Sequence, residues 1–430
     1  MKNKITSKFK NFFKILGPGV ITGAADDDPS GIATYSQTGA QFGYGQLWTA
    51  VFMLPFQMGV QEACARIGAV TGKGIAAVVK KHYSKKILYA VVLLVLVANT
   101  INIGADIGAM AAAAALIIPV NFVILTLVFT ISILLLEIFT SYKVYSKILK
   151  WLCLSLFAYP VTVFIVSQPW GTLLKATFVP HMELNFQFLF IIVGVLGTTI
   201  SPYMFFWQAS EETEEERSAH LLGKTGKPLI NWRFIRNLRL DNFVGMVFSE
   251  IGTWSIIVVT ATVLNAHGIT DIKTAADAAK ALEPLVSSFP NAGYTAKVLF
   301  AFGVLGLGFL SIPVLAGSAA YAFTESFNLN EGLNLKLKKA HGFYGVITIA
   351  TLVGLIINFI GIDPIKALVF AAVINGVVAV PLIFIIALIA KNGKIMGQYK
   401  SGWVSNLLVW LTFIGMGVAS IAMILTFFRI

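Results

Sequence analysis

Three consecutive carboxylates, Asp26-Asp27-Asp28, followed by Pro29-Ser30-Gly31, interrupt the first hydrophobic segment of the chain. A single charge at the centre of a membrane helix costs ~2.5–3.5 kcal/mol on insertion scales. Three adjacent acids therefore require protein, water or a cation to meet them. Proline and glycine also free backbone carbonyls where a helix breaks. A broken helix carrying acids and loose carbonyls at mid-depth reads as a cation site. The segment is membrane-embedded because the chain around it is: 57% of the 430 residues are hydrophobic and only 12% charged. Several stretches reach the ~20 apolar residues that cross a bilayer.

Eleven spans are read, at about 12–43 (broken near 26–31), 46–69, 87–112, 119–140, 147–168, 187–213 (broken near 198–202), 240–264, 294–322, 342–361, 364–390 and 403–428. With a cytoplasmic N-terminus and an outside C-terminus, 26 of the 32 Lys and Arg residues fall on the inner side. That split is what the positive-inside rule predicts. The net charge of +12 is spread over short loops, so no nucleic-acid partner is expected. No cleavable signal is expected at the basic N-terminus. Cys64 and Cys153 lie in apolar segments and are silent about redox compartment. Residues 273–280, in the long outer connection 266–291, predict a short surface helix. With no long linker, one integral membrane domain covers 1–430.

The sixth span repeats the interruption as Gly197-Thr198-Thr199-Ile200-Ser201-Pro202-Tyr203. Pro29 and Pro202 each fall in the first helix of a five-span block, about 11–168 and 186–390. Five is odd, so the blocks run in opposite orientation, and the helix at 403–428 is extra. Matched breaks in two inverted halves point to a transporter's midplane site. Half-helices ending near Ala25 and Thr198 direct their negative dipole ends at the breaks, which favours a cation. The bland alternative is a pair of structural kinks, with Asp28 serving as the N-cap of a helix that opens on Pro29.

Further polar residues sit inside the spans. Asp106 shares a face with Asn99 and Asn102, which either lines an ion path or packs helices by hydrogen bonds. Glu62 and Arg66 form an i,i+4 pair, structural or gating. Glu250 has no evident cation partner and reads as an ion relay or a protonated side chain. Glu211, Glu212, Glu214, Glu215 and Glu216 oppose the dipole of the helix they end. They either pair with Arg233, Arg236 and Arg239 or attract cations, Glu211 and Glu212 being placed deepest. Asn375 is a candidate ligand or water anchor. No His/Cys metal cluster and no nucleotide loop is present, so neither an enzyme nor an ATP-driven pump is expected, and no cofactor.

At these breaks the chain resembles the NRAMP family of divalent metal transporters, over about 15–390. The resemblance is carried by Gly17-Pro18-Gly19, Asp28-Pro29-Ser30-Gly31-Ile32-Ala33-Thr34, Gly39 to Tyr44, Ala65-Arg66 with Thr71-Gly72-Lys73, and the broken sixth span. It implies an all-α, LeuT-like fold with helices 1 and 6 broken at mid-membrane. Typical members ligate metal with an Asp and an Asn of the first span, a backbone carbonyl and a Met thioether of the sixth. Here those positions are Asp28, Gly31, Thr198 and Ser201. Two sixth-span histidines tied to proton transfer fall at Tyr203 and Gln208, and a third-span acid survives as Asp106.

The missing thioether removes the soft ligand that favours transition metals. An oxygen-only site suits Mg²⁺, which keeps several waters, and Gly31 and Ser201 are expected to leave room for them. The pattern is similar to the NRAMP-related magnesium transporter branch. The expected function is alternating-access transport of Mg²⁺ or Mn²⁺ by a monomer in the lipid bilayer of the cell membrane, without proton coupling. Asp26, Asp27, Asn102, Asp106, Tyr203, Gln208, Glu211, Glu212, Glu250 and Asn375 are expected along the ion path. The alternatives are a proton-coupled Mn²⁺/Fe²⁺ importer, an ion-coupled carrier of a small organic solute, and a non-transporting receptor.

Overall fold

The computed structural model describes residues 17–140, 157–221 and 228–428, and every regular element among them is helical. In chain order these are α1 Pro18–Asp26, α2 Pro29–Phe42, α3 Trp48–Thr71, α4 Ile75–His82, α5 Lys85–Ala114 and α6 Phe122–Phe139. Next come α7 Ala158–Ile165, α8 Trp170–Phe178, α9 Phe186–Thr199, α10 Pro202–Ser218, α11 Trp232–Val263 and α12 Ala275–Ala279. The chain closes with α13 Ala292–Phe327, α14 His341–Ile357, α15 Pro364–Lys391, α16 Gly393–Met396 and α17 Trp403–Phe427.

Proline writes the two breaks. A residue before proline is pushed out of helical geometry, while proline itself suits the first helical position. Asp28 is accordingly extended (φ −61°, ψ 173°) and α2 starts at Pro29. Ser201 is extended (φ −84°, ψ 142°) and α10 starts at Pro202. α1 stops one residue earlier, at Asp26, with Asp27 already off-helix (φ −82°, ψ 45°). Both interruptions fall inside the windows read from the sequence.

Among the described residues seven helical stretches are long and apolar enough to cross a membrane, counting α9 and α10 together, and α14 is a shorter apolar helix. The remaining sequence-read spans fall short for identifiable reasons. The first is divided into halves of 9 and 14 residues. The second, α3, carries Gln57, Gln61, Glu62 and Arg66, all buried. The span read at 147–168 is described only from residue 157, where α7 begins, and Cys153 lies outside the described residues. The surface helix read at 273–280 is present as α12, with a Thr274–Asp277 capping box and an Asp277–Lys280 ion pair.

Two readings change. The span ends read at 213 and 240 move: α10 runs on to Ser218 and α11 begins already at Trp232. Arg239 does not turn to Glu211, Glu212, Glu214 or Glu216 but donates to Glu62 at 2.9 Å. Glu211, Glu212, Glu214 and Glu216 are buried. Tyr321 of α13 donates to Glu214 at 3.0 Å and Asn334 does so at 2.6 Å. Arg217 reaches Glu331 at 4.0 Å. The reason is depth: α10 is long enough to carry its acids under α13 and the following turn.

α9 and α15 meet backbone to backbone. A Cβ at Gly197 would stand 2.1 Å from the Ala372 carbonyl, and one at Gly376 2.4 Å from the Val193 carbonyl. Small residues let membrane helices approach this closely. Gly197→Ala should therefore destabilise by about 1–3 kcal/mol through overpacking, seen as a lower midpoint of thermal unfolding in detergent. Gly345→Ala is the control, since nothing lies within 4 Å of its would-be Cβ. An unchanged midpoint for Gly197→Ala would show that the α9–α15 contact can relax.

Candidate metal site

The N-cap role of Asp28 and the ligand role expected of it from the sequence fall on one side chain. As the last extended residue before α2, its side chain turns back over the first turn. Oδ1 accepts from the Gly31 amide at 2.8 Å and the Ser30 hydroxyl at 2.5 Å. Oδ2 accepts from Asn102 Nδ2 of α5 at 3.0 Å. Ser30 Oγ also lies 3.2 Å from Thr198 Oγ1, so the two breaks meet at this carboxylate.

Across the site, Ser201 Oγ donates back to the carbonyls of Gly197 at 2.6 Å and Thr198 at 2.7 Å. The Thr198 carbonyl is thus present at the break and held by the hydroxyl. Gly31 does not leave the open room read from sequence. A Cβ there would stand 3.2 Å from Tyr35 Cε2 and 3.4 Å from Thr198 Oγ1, because the Tyr35 ring fills the gap.

Each break is tied down by a tyrosine of the other. Tyr203 of α10 donates to the Ala25 carbonyl at the end of α1 at 2.9 Å. Tyr35 of α2 lies 2.8 Å from Thr199 Oγ1 at the end of α9. The loose polar groups expected where helices stop are in this way partly satisfied.

Asn102 connects three helices. Besides Asp28 it reaches Asp106 Oδ2 at 3.4 Å, and its own Oδ1 accepts from Asn375 Nδ2 of α15 at 3.0 Å. Asp106 Oδ2 also accepts from Ser311 of α13 at 3.1 Å. Asn99 separates from this line, because its amide donates to the Leu315 carbonyl and packs α5 on α13.

Asp26 and Asp27 face α3 and α11. Asp26 Oδ2 accepts from Gln57 at 2.6 Å and, through a short contact, from Ser249. Both oxygens of Asp27 and both of Glu250 are buried without a hydrogen-bond partner among the described residues. No Lys, Arg or His of the described residues forms an ion pair with Asp26, Asp27, Asp28, Asp106 or Glu250. The region thus gathers five buried acidic side chains with no basic partner among the described residues. Gln208 lies beyond the site, accepting from Thr22 at 2.5 Å and donating to Glu212 at 2.9 Å. Glu211 lies 3.4 Å from the Tyr321 hydroxyl.

Ser30, named in the sequence only as part of the break, joins the site, and so do Tyr35, Gln57, Ser249 and Ser311, which were not singled out there. Gln57 and Ser249 carried a signal, being polar residues in mid-span beside Gln61 and Glu250 respectively. Nothing local distinguishes Ser311, which is placed by the crossing of α13 and α5.

Asp28, Ser30, Thr198, Ser201 and Asn102 are fully buried. A cavity of about 670 Å³ opens beside the far end of α2, lined in part by Gln37, Gln41, Phe186, Asp271 and Lys366. Gln37 closes its rim, donating to the Thr270 carbonyl and accepting from the Ile272 amide. Among the described residues no three His, Cys, Asp or Glu side chains lie together so as to hold a metal ion directly. The donors at the site are one carboxylate, hydroxyls, carbonyls and amides.

A family model for natural resistance-associated macrophage protein-like (Nramp) sequences matches residues 19–426. A divalent metal cation transporter, MntH, of Klebsiella pneumoniae subsp. pneumoniae is 26% identical over 91% of this chain and 89% of its own length. The manganese transporter of Eremococcus coleocola superposes with a TM-score of 0.74 at 15% identity, covering 98% of this chain and 87% of that one. MhsT, solved with L-phenylalanine, has a TM-score of 0.58 at 14% identity over 95% of this chain and 97% of its own. These two likenesses show the LeuT-like fold. With its helices and its family match taken together, the chain is a multi-pass membrane protein that belongs to the Nramp family.

Proposed function

We propose that this chain is a secondary transporter of divalent metal cations, Mg²⁺ and Mn²⁺, working by alternating access. The observation that carries the metal preference is the oxygen donor set around Asp28, with Ser201 hydrogen-bonded to backbone carbonyls where the family resemblance places a thioether. A carboxylate offers about four lone-pair positions. Three at Asp28 are taken by Gly31, Ser30 and Asn102, which leaves one for an ion. One carboxylate oxygen with waters completing the shell suits Mg²⁺, which dehydrates reluctantly.

In this reading Asp28, Gly31, Thr198 and Ser201 bound the ion, and Asp26, Asp27 and Glu250 supply the negative field. Asn102, Asp106, Asn375, Tyr203, Gln208, Glu211 and Glu212 line its path. The ion sits between two inverted repeats, about 11–168 and 186–390, with 403–428 as an added helix. The N-terminus is cytoplasmic, the C-terminus lies outside, and the monomer is the working unit. The curated relative is named for divalent metal cations and the structural neighbour for manganese, which supports a metal substrate.

Transport is driven by the membrane potential and the metal gradient, without protons. Tyr203 and Gln208 stand where the resemblance places two histidines, so neither position offers an imidazole that titrates near neutral pH. A divalent ion crossing 100 mV gains ~4.6 kcal/mol, twice the value for one charge, enough for roughly thousandfold accumulation.

Purified protein in liposomes should take up Mn²⁺, with Mg²⁺ in excess competing and an amino-acid panel without effect. Asp28→Asn keeps a capping acceptor but loses the charge, and should abolish uptake with a wild-type gel-filtration profile. Wild-type transport by this variant would remove Asp28 from the mechanism. Ser201→Met should shift the competition, Mg²⁺ losing at least tenfold against Mn²⁺, and an unchanged ratio would dissociate Ser201 from selectivity. A pH dye inside the liposomes should report no acidification during metal entry. Proton entry in proportion to the metal would overturn the uncoupled mechanism and direct attention to Asp106.

A further inference from the structure

The half-helix α1 is nine residues long and ends in a break, whereas its neighbour α11 is an unbroken helix of 32 residues. The first amides of α1 have no partner within the helix. Its N-cap residue is Gly17, which has no side chain to cap them. Asp241 of α11 does so instead. Gly17 and Val20 donate to Oδ1 at 2.8 and 3.3 Å, and Gly19 donates to Oδ2 at 2.7 Å. Charge-assisted bonds of a carboxylate to a helix N-terminus are the strong kind.

Below this cap the two backbones touch. A Cβ at Gly19 would stand 2.7 Å from the Asn242 amide nitrogen, one at Gly23 2.3 Å from the Gly245 carbonyl, and one at Gly245 2.2 Å from the Gly19 carbonyl. Glycines at i and i+4 of α1 against a glycine of α11 make a flat backbone contact, and the side-chain bond from Ser249 of α11 to Asp26 lies at the other end of α1, beside the break. Such a surface can part and re-form without repacking a core. On its other flank α1 is bonded to α10 by Thr22 to Gln208 and, at its end beside the break, by Tyr203 to the Ala25 carbonyl.

We infer that Asp241 is a positioning residue that latches α1 shut against α11, and that its release lets α1 pivot at Asp27–Asp28. The inference rests on the alternating-access reading and adds to it the residue that sets the balance. The pivot is placed at the break because Asp27 is already off-helix there, while α11 has no comparable joint. When α1 leaves, Thr22 releases Gln208, which with Glu212 then lines the way out from Asp28. In the open form both the Asp241 carboxylate and the freed amides meet water, so the latch is reversible.

The test uses the full chain in liposomes with Cys64 and Cys153 replaced by serine. One reporter, Thr22→Cys, lies behind the latch, and a second, Gln41→Cys, lines the 670 Å³ cavity at the opposite end. Rates of alkylation by a membrane-impermeant maleimide are measured from each side. Asp241→Ala should raise the rate at position 22 roughly tenfold and lower the rate at position 41. Gly245→Ala, which pushes α1 off without touching the carboxylate, should act in the same direction. Asp241→Asn, with one acceptor oxygen left, should fall between. An unchanged rate at position 22 in both Asp241→Ala and Gly245→Ala would overturn the latch. So would faster labelling at both positions, which marks general loosening. Labelling needs no metal, so a latch that responds in a protein that carries no Mn²⁺ would refute the transport reading alone.

Discussion

One carboxylate governs the centre of this molecule. Asp28 has to end one conformation of the chain and begin another, because Pro29 follows it, and the same side chain then caps α2 and joins α5. Removing such a group from water without partners would cost several kcal/mol. Three donors prevent that cost, and each also restricts how the carboxylate can meet an ion. The geometry of the break and the chemistry of the site are consequences of the same bonds.

The two halves of the site hold each other. Tyr203 closes the end of α1 and Tyr35 the end of α9, so neither break is finished by its own helix. A shift of either half-helix must therefore be felt at the other. Asp26 extends this dependence to α3 and α11 through Gln57 and Ser249. The oxygens of Asp27 and Glu250, buried without a hydrogen-bond partner among the described residues, lie in the same region. Low dielectric makes such polar groups matter more than they would at a surface.

Much of this was legible in the sequence because the signals were local. Asp-Pro and Ser-Pro in apolar surroundings specify a break within a residue or two, and Thr198 and Ser201 follow from the second break. Asp106 and Asn102, four residues apart, had to share a helix face, and the structure links them. Long-range placement was not legible. Asn99 shares that face yet turns to the Leu315 carbonyl, since the register of α13 against α5 decides it. The space at Gly31 depends on where the Tyr35 ring lies, one turn away. Arg239 could be drawn to several acids by charge alone, and only the depth of α10 assigns it to Glu62.

The account stands on a hard, partly hydrated ion held by oxygen at Asp28. X-ray absorption at the manganese edge of the Mn²⁺-loaded protein, paired with pulsed EPR in ¹⁷O-enriched water, reads that shell directly. The account predicts an all-oxygen first shell containing several exchangeable waters, with the signal lost in Asp28→Asn. A sulfur or imidazole nitrogen in the shell, or an ion stripped of exchangeable water, would contradict it.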